Sequence, residues 1–150
     1  YPPTHFLFDQ AKIGSEFAIR VGGSFYWDSH CQRDLLCFAC GIGVTPIIAI
    51  VKQFKFENPT LNASLVYSCQ TNHQRAFSQP LRDMSKQGEI ELREITTRES
   101  PFERIDQHMI EKYSSGSPKD VFICGPPNAT DEIVEKIDGN RHNVYYERWW

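Results

Sequence analysis

Short apolar runs recur along the chain at residues 35–39, 63–69, 90–95, 121–124 and 144–146, each of strand length and apolar enough to be buried on both faces. Helix-length stretches of mixed polarity fill the gaps, at 46–56, 77–87, 105–113 and 130–137. The alternation reads βαβαβαβαβ and predicts an α/β fold: a doubly wound, five-stranded parallel sheet of order 3-2-1-4-5. Gly88 and Gly139 stand where two of the helices should stop. Ahead of this pattern, residues 17–21 alternate well enough for a strand, and Gly22-Gly23 supply a turn or bulge before Phe25-Tyr26-Trp27. That region reads as the end of a β structure.

Composition changes this picture little. At 150 residues, 40% hydrophobic and 23% charged, the chain fits one globular unit able to bury a core. Its net charge of -3 and the lack of any Lys/Arg-dense stretch argue against nucleic acid or an anionic membrane as a partner. The longest uncharged run, 35–51, is interrupted by Gly41, Gly43 and Pro46, so it reads as strand, turn and helix and not as a membrane span. Five widely spread cysteines suit a reducing compartment. Cys37 and Cys40 form a CxxC without a second pair, and residues three apart on a strand face opposite ways, so core packing is expected and no metal site. The chain opens on Tyr1 rather than Met, which suggests a fragment.

Two loops carry candidate chemistry. "CGIGVTPI" follows the first strand; Gly41 and Gly43 permit a tight turn and close backbone approach, Thr45 is a suitable N-cap and Pro46 a suitable first helical residue. The first acid of that helix is Glu57, which leaves its positive end open to a phosphate, whereas Asp131 and Glu132 are expected in the opening turn of the last helix. "FICGPPNATDEI" follows the fourth strand, with Pro126 and Pro127 stiffening the loop and Cys124 at the strand tip. No base near Cys124 in sequence would activate it, so a positioning role is expected. In the 3-2-1-4-5 order both loops face the crevice where such sheets bind ligands. The pattern is neither the GxGxxG dinucleotide fingerprint nor a P-loop.

"GIGVTP", "CGPP" and the C-terminal "ERWW" together resemble the nucleotide half of the ferredoxin:NADP reductase family, and "PPTH" with "RVGGSFYW" narrow the likeness to a branch described as mitochondrial. The resemblance implies a division at about residue 34: residues 1–34 as the closing segment of a flavin-binding barrel and 35–150 as the NAD(P)-binding domain. The arginine-aromatic-serine motif that grips flavin in that family is absent from residues 1–34, so FAD would be held mainly by an upstream domain of the same full-length chain. By the same resemblance Gly41, Ile42, Gly43, Val44, Thr45 and Pro46 cradle the pyrophosphate. Cys124, Gly125, Pro126 and Pro127 flank the nicotinamide, and Glu147 with Trp149 or Trp150 lies beside the flavin.

The choice between NAD and NADP stays open. No acid ends the second strand at "VYSCQTN", where Ser68, Gln70 and Thr71 are neutral. "TRESPFERI" resembles the stretch that holds a 2′-phosphate in NADP-using relatives, making Arg98 and Arg104 candidates and Arg75 a weaker one. The function implied is an NAD(P)H-dependent flavoprotein oxidoreductase passing electrons to an unknown acceptor. A nucleotide-binding or redox-sensing module without turnover, and a flavodoxin-like interaction domain that binds no dinucleotide, are the rival readings; a hydrolase lacks its GxSxG elbow.

Overall fold

A computed structural model of the chain describes residues 2–20, 22–30 and 32–149, the side chains from residue 4 onward. Five strands, β1 (Asp34–Cys40), β2 (Ala63–Cys69), β3 (Glu91–Thr96), β4 (Lys119–Gly125) and β5 (Asn143–Arg148), form one sheet of order β3-β2-β1-β4-β5. All four strand pairings are parallel. The helices are α1 (Pro2–His5), which continues into a π-helical turn at Phe6–Gln10, then α2 (Val44–Glu57), α3 (Ser78–Lys86), α4 (Gln107–Ser114) and α5 (Pro127–Lys136). The α/β class and the strand order are those the sequence predicts.

The period-two alternation of β1 divides the core. Leu35, Cys37 and Ala39 point to the face covered by α2 and α3, where Ile47, Val51, Phe54, Leu81 and Met84 meet them. Leu36 and Phe38 point to the other face, beneath Met109 and Ile110 of α4 and Ile133 of α5. Cys37 and Cys40 fall on opposite faces, so the CxxC cannot share an ion. Trp27 extends the first cluster: its ring meets Phe54 edge-on at 4.9 Å and its indole N–H donates to Glu57 Oε2 at 3.1 Å.

Several local expectations need correction. Of the strand predicted at 17–21, residues 17–20 form no ladder and Val21 lies outside the described residues; a strand is held by a neighbour's backbone groups, and none pairs with residues 17–20 among the described residues. The N-cap of α2 is Gly43, not Thr45, whose Oγ1 instead donates to Ile42 O at 2.9 Å. Helix α5 opens at Pro127, not Thr130, because a proline at the first position brings its φ already set for a helix. Asp131 and Glu132 therefore lie beyond its first turn.

Gly88 does end α3, at φ +75°, with its own N–H on Ser85 O and the Glu89 N–H on Met84 O, both at 3.0 Å. Gly139 does not play this part: α5 is capped by Ile137, in extended conformation.

Candidate functional site

Strands β1 and β4 lie side by side in register Ala39↔Cys124, and the chain winds away from them in opposite directions. Their carboxyl ends therefore open a crevice at the point where strand order reverses. The two glycine loops meet there in backbone contact. A Cβ on Gly43 would stand 2.5 Å from the Cys124 carbonyl carbon and 2.8 Å from the Gly125 nitrogen, and a Cβ on Gly125 would stand 2.6 Å from Cys40 Cβ. Glycine at 43 and 125 is thus what lets the turns close on one another.

Gly41 is different. It sits at φ +58° with open space where a Cβ would be, and it is half-buried. Gly41, Ile42 and Gly43 form a 3-10 turn into α2; the Val44 N–H bonds back to Gly41 O and Ile42 O within it. No side chain caps the start of α2 and its first turn holds no acid, so its positive end is unanswered by the protein. Thr45 and Pro46 are half-buried on that first turn.

On the α5 side, Cys40, Ser68, Thr97, Arg104 and Glu132 line a cavity of about 100 Å³ at the ends of β1, β2 and the loop after β3. Arg98 is brought beside the end of β2 by its own N–H on Gln70 O at 2.9 Å. Both Arg98 and Arg104 are exposed, and no hydrogen bond or ion pair engages either guanidinium among the described residues. Arg75 is excluded from such a site. Its buried side chain donates to Asn72 Oδ1 at 2.8 Å and Ile95 O at 3.3 Å and stands 3.5 Å from Glu94.

The C-terminal residues gather at the other wall. β5 pairs Cys124 with Glu147, and beyond it the Trp149 N–H donates to Gly125 O at 2.7 Å. Burial pushes the Cys124 thiol up to about 11; the Trp149 side chain opposes the rise and the charge of Glu147 adds to it. Cys40 is pushed up to about 12, mainly by burial. Both remain protonated thiols at neutral pH, which agrees with positioning rather than nucleophilic roles. Trp150 lies outside the described residues. Tyr145 stacks on Phe122 at 4.7 Å, yet Tyr145 and Tyr146 keep 37% and 44% of their surface exposed, so they only partly complete the core.

Two stabilising contacts of the site carried no sequence signal. Arg148 Nε donates to Asp131 Oδ1 at 2.6 Å, tying β5 to α5, with its guanidinium 4.9 Å from the Tyr146 ring. Glu99 Oε2 accepts from the Asn72 N–H and Nδ2 at 2.9 and 2.7 Å, joining the loops after β2 and β3. Each pair is distant in sequence, and only the fold brings it together. No group of three or more His, Cys, Asp or Glu among the described residues could hold a metal ion, and no described helix is long and apolar enough to cross a membrane.

The family model described as Oxidoreductase NAD-binding domain matches residues 38–135, which span both glycine loops. The chain belongs to that family. Among curated proteins it is 27% identical to "Oxidoreductase NAD-binding domain-containing protein 1" of Xenopus tropicalis, covering 100% of this chain and 57% of the relative. It is 22% identical to the flavohemoprotein of Bacillus subtilis (strain 168), covering 95% of this chain and 39% of that protein. The chain thus spans little more than half the length of the first of these relatives. The fold also matches a Malassezia yamatoensis flavohemoglobin crystallised with FAD and heme, with a TM-score of 0.65, 22% identity and coverage of 79% of this chain and 32% of that one. A Plasmodium falciparum ferredoxin-NADP+ reductase matches with a TM-score of 0.64 at 15% identity over 85% of this chain and 57% of that one. The sheet and crevice are those of the NAD-binding domain in ferredoxin-reductase-like flavoprotein oxidoreductases.

Proposed function

We propose that this chain is the nucleotide half of an NAD(P)H-dependent flavoprotein oxidoreductase, presenting nicotinamide to FAD held mainly by an upstream barrel of the same protein. The observation that carries the reading is the backbone contact of Gly43 with Cys124 and Gly125, which fuses two loops into one floor beside the open start of α2. When bound, the nicotinamide supplies a hydride and the flavin accepts it. The chain's own residues position and shield. The turn from Gly41 to Pro46 takes the pyrophosphate, Gly41 by offering bare backbone and α2 by its dipole. Cys124 to Pro127 form the wall against the nicotinamide, with the neutral thiol adding no charge where charge moves. Glu147 and Trp149 face the flavin.

Ser68, Arg98 and Arg104 are assigned to the adenosine end. The two unpaired guanidinium groups and the absence of an acid at the end of β2 favour a 2′-phosphate, hence NADP. Residues 1–34 are assigned to the barrel's closing segment, and the exposed side chains of Phe8, Ile13 and Ile19 supply apolar surface for it to cover. A mitochondrial location belongs to the same proposal and is checked by imaging the tagged intact protein.

The test is the visible spectrum of the intact protein titrated with NADPH and NADH. Bleaching of a yellow chromophore is expected, at lower concentration with NADPH. Nucleotide binding without bleaching would turn the reading to a sensing module; no binding would overturn it.

A further inference from the structure

The acid that the end of β2 lacks is supplied from another element. Glu132, on the second turn of α5, lines the same cavity of about 100 Å³ as Ser68 near the end of β2 and Thr97 and Arg104 after β3. Ser68 shares a face of the sheet with Val66, two residues back, and that is the face α5 covers. Lys136, one turn on in α5, holds the Glu132 carboxylate by donating to Oε1 at 2.5 Å. No donor among the described residues meets Oε2, and the side chain keeps 59% of its surface exposed. Burial, then Cys124, then the charge of Glu132 raise the Cys40 thiol, so the carboxylate stands close enough to be felt at the cavity wall. The Ser68 and Thr97 hydroxyls and the Arg104 guanidinium also have no partner among the described residues, and neither hydroxyl is sealed from solvent. Two hydroxyls, one carboxylate oxygen and one guanidinium thus converge unengaged on a single small space.

Resting on the nucleotide reading above, we propose that Glu132 sets the choice between NADH and NADPH: its Oε2 accepts from the 2′-hydroxyl of the adenosine ribose in NADH and repels the 2′-phosphate of NADPH. A hydroxyl both donates and accepts, so it can give its proton to Glu132 and take one from Ser68 or Thr97. An ionised phosphate offers acceptors alone; Arg98 and Arg104 suit it and a carboxylate does not. Two cations outweigh one acid, so NADPH keeps the preference, and Glu132 is what keeps NADH usable. Lys136 moderates the repulsion by sharing the charge of the carboxylate.

The test is fluorescence titration of the intact protein with NADH and with NADPH, beside a melting curve. Glu132→Gln keeps the length of the side chain and removes its charge. NADH is expected to bind about fivefold more weakly to it and NADPH about threefold more tightly. A part in stability alone would move both nucleotides together. Lys136→Met removes the counter-charge and leaves Glu132 in place; it should weaken NADPH about threefold and spare NADH. An unchanged ratio of the two affinities in Glu132→Gln would overturn the proposal while leaving the nucleotide site standing. Binding of neither nucleotide by the unsubstituted protein would overturn both.

Discussion

Gly43 and Cys124 lie 81 residues apart in sequence, yet a single added methyl at Gly43 would overlap the Cys124 carbonyl group, whose carbon stands 2.5 Å from that position. The contact makes one floor from two loops. It also means that Gly43 serves packing first, and a bulky residue there would damage the domain along with any nucleotide site.

Gly43→Ala is therefore expected to cost about 1–3 kcal/mol of stability, the usual range for overpacking against an unyielding neighbour. Denaturant unfolding measures it. Gly41→Ala meets no neighbour but must hold φ +58°, which costs about 1–2 kcal/mol, and its methyl would stand in open space. Gly41→Ala should thus lose more nucleotide affinity per unit of stability lost. Equal stability of Gly43→Ala and the unsubstituted protein would contradict the packing role.

Replacing Arg98 or Arg104 by Gln should weaken NADPH about tenfold each and leave NADH nearly unchanged, as expected for a charge-assisted contact to the 2′-phosphate alone. Arg75→Gln should instead lower stability, because its guanidinium is buried against Glu94, Asn72 and Ile95. Fluorescence titration beside a melting curve separates the two. Loss of NADH and NADPH in equal measure would place the arginines elsewhere.

Cys124, with its thiol pushed up to about 11, should resist alkylation by iodoacetamide at pH 8, reacting at least about a hundredfold more slowly than an ordinary exposed cysteine. Trp149→Phe removes the indole donor that favours the thiolate and should push the thiol higher still. Mass spectrometry of the alkylated peptide, followed against pH, reads both. Rapid labelling in the folded protein would show that the thiol is not the protonated group described.

His142 gives the fold a pH dependence. It is buried, with Nδ1 accepting from the Lys119 N–H at 3.1 Å, and its pKa is lowered, chiefly by burial and then by Arg141. Below about pH 6.5 the unfolded chain takes up a proton that the native imidazole refuses, so stability is complete above that pH and falls as the solution is acidified. His142→Gln should flatten this limb in unfolding curves measured from pH 5 to 7.5. An unchanged slope would assign it to other groups.

How much of this was legible in the sequence follows from which interactions are local. The five strands and four main helices showed in the apolar periodicity, because the face a residue takes is fixed by its position in a short repeat. The motif residues of both loops could be named for the same reason. The cap of α2 and the start of α5 were misplaced by one or more residues, since Gly43 and Pro127 answer to their neighbours in space as well as to propensity. The strand expected at 17–21 is missing over its described residues 17–20 because alternation supplies a face but no pairing partner.

By itself, then, the sequence determined the class of fold, the strand order and the two loops that bound the crevice, all of which rest on repeats a few residues long and on the handedness of crossovers. The tertiary structure alone decided that Gly43 bears on Cys124, that the Arg75 side chain is buried against Glu94 while Arg98 and Arg104 stay free, and that Asp120 is buried with its Oδ1 on Asn143 Nδ2. Those are relationships between distant segments, set by how side chains and backbone fill one shared volume, and no local pattern encodes them.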